Sequence, residues 1–319
     1  METTKKHALG WIGTGRMGFA MAERLAKAGC NLAVYNRTKS KAEPLAGGGA
    51  KVVDTLVQLA NCDIVFIMES ASDDLKEVLF GVHGVASSGK LPKIVVDCSS
   101  VSIEASSEVR EKLTAKGVEF LAAPVSGNPK VVKAGKLSVV ASGSSRAFQQ
   151  ARPYIDIFAP AGVSYVGEGE LARIAKICHN VMLGVVAQNL AEIAVLAEKA
   201  GLPRSAFLDF INSSVVGSIF TRYKSPAYVN LDYSPTFTPF LLRKDLDLGL
   251  ALARKLDVAM PVATASREVL QSHMGQSSLK GGNYQQTDIA TLLDFEARCS
   301  GMELKPENVE VWDGLSPKK

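Results

Sequence analysis

Little in this chain suits it to a metal cluster or a disulfide framework. It has four histidines, and its five cysteines (Cys30, Cys62, Cys98, Cys178, Cys299) are odd in number, widely spaced and without a Cys-x-x-Cys pair. That pattern favours a reducing cytoplasm over a secreted scaffold. Neither sign of charge dominates, because 36 basic residues stand against 32 acidic ones and the net +4 is spread along the chain. With no stripe of one sign, neither nucleic acid nor anionic lipid is an expected partner. Long apolar runs are missing too: the richest, Val181 to Ala197, contains Gln188, Asn189 and Glu192, which predicts no membrane span. The apolar run before the first glycine turn is too short for a secretory signal.

What is present is enough apolar sequence, 47% of 319 residues, to bury two cores. The first half alternates short β-branched runs (HALGWIG, NLAVYN, DIVFIM, KIVVDCS, VEFLAAPVS, LSVVASG) with helical patterns. Such alternation predicts βαβ units and a mostly parallel sheet, a doubly wound Rossmann α/β domain over 1–168. Beyond VGEGE, segments such as LARIAKICHNVMLGVVAQNLAEIAVLAEKAG and FLLRKDLDLGLALARKLD repeat with helical period. They predict an all-α second domain over 169–319. The polar stretch from Lys305 to Lys319, with two prolines, reads as a loosely ordered tail.

Gly13-Thr14-Gly15-Arg16-Met17-Gly18 lies between an apolar strand pattern and a helical one. In that setting Gly13 makes the tight turn, Gly15 lets the backbone approach a pyrophosphate, and Gly18 lets the helix pack closely on the strand. The free N–H groups and positive dipole end of the helix then attract the phosphates. Thr14, Arg16 and Met17 belong to the same cofactor-binding turn. The second strand ends in Asn36-Arg37-Thr38, followed by Lys41, with no Asp or Glu. An acid there would accept hydrogen bonds from the ribose hydroxyls of NAD, whereas this basic turn suits a 2′-phosphate. NADP (as NADPH) is the expected cofactor and NAD the less preferred one; a solvated basic turn that accepts either remains open.

Four ordered segments, GWIGTGRMGFAMAERLAKAG, AAPVSGNPKVVKAGKLSVVASG, GEGELARIAKICHNVMLG and FLLRKDLDLGLALARK, resemble the β-hydroxyacid dehydrogenase family. That family includes 3-hydroxyisobutyrate dehydrogenases and plant-type glyoxylate/succinic semialdehyde reductases. The resemblance makes Lys176 the catalytic lysine, with Asn180 its partner. Four residues apart, the two project from one helix face, and the apolar neighbours Ile174, Ala175, Ile177 and Cys178 favour a lowered lysine pKa. His179 stands where the family has a first asparagine, either near the pocket or simply packed. Ser126, Gly127 and Asn128 resemble the family's loop for a substrate carboxylate, with Asn128 in place of a glycine. Ser126 as a plain turn former stays open, as does Lys130 as charge attraction or solvated side chain.

Ser100 and Lys244 resemble further cofactor contacts, Asp245 a structural partner, and Asp288 a position near the pocket. Met68, Glu69 and Ser70 are expected at the carboxyl edge of the sheet, where nucleotides bind. The implied reaction is hydride transfer between NADP(H) and a small β-hydroxy acid or aldehyde acid, with Lys176 moving the alcohol proton. Two other readings are an imine reductase of related fold and a nucleotide-binding protein without turnover. The long apolar helix after Lys176 favours a homodimer or homotetramer.

Overall fold

The computed structural model describes residues 7–279, 281, 283 and 286–316. In the first half, apolar runs with no exposed side form strands covered on both faces. These are β1 (Leu9–Ile12), β4 (Ile64–Ile67) and β5 (Ile94–Asp97), each buried throughout. With β2 (Leu32–Tyr35), β3 (Lys51–Val52) and β6 (Glu119–Ala122) they lie parallel in the order β3-β2-β1-β4-β5-β6. This is the doubly wound order whose chain reversal between β1 and β4 opens a crevice at the carboxyl ends of the strands. The register Leu9↔Leu32 and Leu9↔Ile64 aligns those ends.

Strand alternation sorts the core. Trp11, Ile64 and Phe66 face one side with α1 (Arg16–Lys27) and α5 (Ser145–Phe158). Ile12, Val65 and Ile67 face the other with α2 (Ser72–Phe80) and α3 (Ile103–Thr114). The sheet is finished by β7 (Val125–Ser126), the short α4 (Pro129–Lys133), β8 (Ser138–Gly143) and β9 (Gly162–Tyr165). β8 runs antiparallel to both β6 and β7 and parallel to β9.

The chain divides into two compact units, Met1–Lys176 and Ile177–Lys319. The division falls inside α6 (Leu171–Lys199), eight residues beyond the expected boundary at 168. The reason is packing: Ala172 and Arg173 at the start of α6 are buried in the first unit.

Among described residues the second unit contains helices and no strand: α6, then α7 (Arg204–Ser213), α8 (Ile219–Asn230), α9 (Pro239–Lys255), α10 (Pro261–Leu279) and α11 (Leu292–Cys299). Its core joins Val181, Leu190 and Ala194 of α6 to Tyr228, Leu242, Leu246, Leu270 and Leu293. Two glycines set the α6–α9 approach. A Cβ on Gly184 would stand 2.8 Å from Leu246, and one on Gly249 would overlap Val181.

Two expectations change. The polar residues of α6 do not keep it short of a span: the helix runs 29 residues, and its length and apolar composition reach what a membrane span requires, with half of that stretch buried inside the molecule. Gln188 stays in the helix by donating to Glu192 (2.9 Å) and Glu296 (2.7 Å). The tail is also fixed as far as Ser316, though it has no regular structure. Glu307 N–H donates to Val229 O (3.1 Å), Asn230 and Val309 exchange two hydrogen bonds, and Arg204 donates to Lys305 O.

Candidate active site

Gly13 sits at φ +87°, in the left-handed region, and a Cβ there would collide with Met68 O. Gly18 is equally constrained, since its Cβ would collide with Gly13 O. Both glycines are therefore demanded by the protein's own packing. Gly15 is different: it caps α1 with extended backbone (φ −63°, ψ −175°), and nothing lies within 4 Å of the position its Cβ would take. The space above Gly15 is left for a ligand. Beside it Thr14 is 3% exposed, and its hydroxyl has no hydrogen-bond partner. An orphaned donor, an open glycine and the N-terminus of a twelve-residue helix fit a dinucleotide pyrophosphate.

The turn is held by contacts that periodicity does not reveal. Trp11 Nε1 donates to Gly13 O (2.9 Å) from within the core. Thr14 N–H donates to Asn36 Oδ1 (2.8 Å), and Asn36 Nδ2 donates to Thr38 O (2.9 Å). Asn36 thus ties the glycine turn to the basic turn. Arg37 and Thr38 are exposed beside it, while Lys39 pairs with Asp54 (2.6 Å). Lys41 faces a cavity of about 400 Å³ together with Thr14, Gly15, Arg16, Phe19 and Lys133. Met17 is half-buried against the core.

Behind the crevice the strand ends are braced. Ser99, fully buried, accepts from Glu69 N–H (2.8 Å) and donates through its own N–H to Asp97 Oδ1 (3.0 Å). Arg173 reaches this brace from α6, donating to Ser99 O (2.6 Å), to Ser106 Oγ (3.1 Å) and to the Asp97 carboxylate. Asp97 and Arg173 are 0% and 2% exposed, so their pairing keeps two buried charges from standing alone. Ser100 follows the brace and is half-buried. Lys176, also half-buried, lies one helical turn beyond Arg173.

Ser126 ends β7, paired with Ser138, and Gly127 follows at φ +144°. Asn128 caps α4, its Oδ1 accepting from Val131 N–H (3.1 Å), while its buried Nδ2 has no hydrogen-bond partner.

In the second unit Asn180 is 6% exposed. Its Nδ2 donates to Asp245 Oδ2 (2.7 Å), and its Oδ1 lies 2.9 Å from Nδ1 of the exposed His179. Asp245 is 3.6 Å from Lys244 Nζ. Asp288 pairs with buried Lys224 and accepts from Thr236 N–H and Oγ1 (both 2.8 Å), which braces α8 against the loops beside it. Trp11, Asp97, Ser99 and Arg173 were not singled out by sequence reasoning. An acid closing a strand, and an arginine three residues before the lysine, were the available signals.

A glycine turn open to phosphate at a doubly wound crevice, with a helical second unit, defines a dinucleotide-binding protein. Family models place it further: the NAD binding domain of 6-phosphogluconate dehydrogenase matches residues 8–167, and the NAD-binding domain of NADP-dependent 3-hydroxyisobutyrate dehydrogenase matches 170–293. The chloroplastic glyoxylate/succinic semialdehyde reductase 2 of Arabidopsis thaliana is 31% identical, over 82% of this chain and 73% of its own. The crystal structure of 3-hydroxyisobutyrate dehydrogenase from Salmonella typhimurium superposes with a TM-score of 0.78 at 25% identity, covering 90% of this chain and 99% of its own. The chain belongs to the β-hydroxyacid dehydrogenase family and is an NAD(P)-dependent oxidoreductase acting on CH–OH or C=O. An imine reductase from Myxococcus stipitatus solved with NADP+ shares the fold, at a TM-score of 0.56 and 24% identity over 90% of this chain and 99% of its own.

Proposed function

We propose that this protein reduces small aldehyde acids, of the glyoxylate or succinic semialdehyde type, or oxidises the matching hydroxy acids, with NADP(H) preferred over NAD(H). The bound nicotinamide supplies or accepts the hydride. Thr14, Gly15 and the α1 N-terminus hold the pyrophosphate, while Arg37, Thr38 and Lys41 meet the 2′-phosphate where an acid would reject it. Met68, Ser100 and Lys244 line the rest of the cofactor. Lys176 gives the proton to the nascent alkoxide in reduction and removes it in oxidation. Asn180 orients the substrate oxygen, and Ser126, Gly127 and Asn128 hold the carboxylate.

The observation that carries this reading is the setting of Asn180. It is a buried amide fixed by Asp245, one helical turn from Lys176 on the same helix. We place the protein in the cytoplasm as a homodimer or homotetramer. Met182 and Leu196, both 69% exposed on α6, offer apolar surface to a second copy, which light scattering tests.

The enzymatic test is oxidation of NADPH and NADH by wild type and Lys176→Ala against glyoxylate, succinic semialdehyde, a β-keto acid and a cyclic imine. The expected result is NADPH-dependent aldehyde reduction that falls about 10²–10⁴-fold in the variant. Imine turnover untouched by the substitution, or NADPH binding without turnover on any substrate, would contradict it.

A further inference from the structure

Beside the cofactor turn stands an acid that the reaction above does not use. Glu69 follows β4 and is half-buried. Its Oε1 lies 3.0 Å from the place a Cβ on Gly13 would occupy, and its N–H is fixed to Ser99 Oγ (2.8 Å). The carboxyl therefore lies beside the Gly13 turn, whose next residues, Thr14 and Gly15, present the phosphate site. The charged groups that act on it are Asp74 from α2, Arg37 from the turn after β2, and Asp97 at the end of β5. An ionised carboxylate here would repel any phosphate drawn to the helix N-terminus.

We propose that Glu69 is a nucleotide-binding residue that acts in its carboxylic acid form, donating a hydrogen bond to an acceptor oxygen in the phosphate–ribose segment of the dinucleotide. Burial, then repulsion from Asp74, pushes this carboxyl up to about 7 against the opposing pull of Arg37, with Asp97 adding to the rise. The free protein near neutrality is thus divided between the two forms, and a bound phosphate favours the acid further. Dinucleotide binding takes up a proton, and affinity falls as pH rises past neutrality. The inference rests on nucleotide binding at the Gly13 turn and is independent of the substrate.

The test is isothermal titration of NADPH into the whole protein at pH 7 and pH 8.5, in two buffers of different ionisation enthalpy. This range lies above the titration of the 2′-phosphate itself, near pH 6. Wild type is expected to bind about tenfold more weakly at pH 8.5 and to take up a fraction of a proton. Glu69→Gln keeps a donor and should bind equally at both pH values with no uptake. Glu69→Leu, a second variant with circular dichroism to check its fold, should lose the pH dependence as well. Wild-type affinity constant within twofold, or a dependence that survives in both variants, overturns the role of Glu69 and leaves the nucleotide site standing. Absence of NADPH binding at either pH overturns both.

Discussion

The two units place their functional groups by different means. The first presents backbone: N–H groups of a turn whose shape is set by Gly13 and Gly18 and whose carbonyl is pinned by Trp11. The second presents side chains, and holds Asn180 by a carboxylate 65 residues further along the chain. A backbone site is robust to most substitutions and fails at glycine, whereas a side-chain site fails wherever one partner is removed. Nucleotide binding at the backbone turn and turnover at Lys176 and Asn180 should therefore separate.

The largest expected effect is on the brace that joins the strand ends to the start of α6. Asp97→Ala leaves Arg173 buried without its carboxylate, and should lower unfolding free energy by about 3–5 kcal/mol in urea titrations. A loss under 1 kcal/mol would mean the pair is not buried as described. Next comes an acid-side response of the second unit. Burial, then Arg298, pushes the His273 imidazole down to about 4. Its contribution is present above the ordinary range near 6.5 and is lost as pH falls through 4. The loss amounts to about 3 kcal/mol, and the acid limb of a stability profile should flatten in His273→Phe.

Asp245→Ala releases Asn180 and should cut kcat about 100-fold with NADPH affinity unchanged. Loss of affinity instead would place Asp245 in cofactor binding. The smallest effect is alkaline and belongs to the first unit. Glu69 holds its proton more tightly when folded, so its contribution is full below about 4.5 and lost as pH rises through about 7. Glu69→Gln should therefore stabilise at pH 8, by about 1–2 kcal/mol after allowing for partial exposure, or about 2–6 °C in Tm. No such gain is expected at pH 4.

The difference between the units also explains what could be read in advance. The glycine turn is local: three glycines within six residues, after an apolar run and before a helical one, state their geometry directly. So do the covered strands β1, β4 and β5. By contrast β3 and β9 lie outside the expected strands, being short segments that a neighbouring strand, rather than their own pattern, makes into strands. The tie between Asn36 and Thr14 spans 22 residues, and the reach of Arg173 to Asp97 spans 76. Such contacts exist only once the sheet has formed. The compact first unit runs on to Lys176 for the same reason, because helical period says where α6 runs and not which core its first turn joins. Lys176 and Asn180 were singled out only through family resemblance, and the carboxylate that holds Asn180 was marked as a structural partner.

The most direct test of that separation between the backbone turn and the catalytic side chains is a paired measurement of NADPH dissociation constant and single-turnover rate in Gly15→Val and Lys176→Ala. Gly15 has open space around it and an extended backbone that valine tolerates, so the fold should survive in both variants. The account predicts that Gly15→Val loses NADPH affinity at least about tenfold by filling the phosphate space, and that Lys176→Ala binds NADPH normally and loses turnover. Normal affinity in Gly15→Val, or unimpaired turnover in Lys176→Ala, would contradict it.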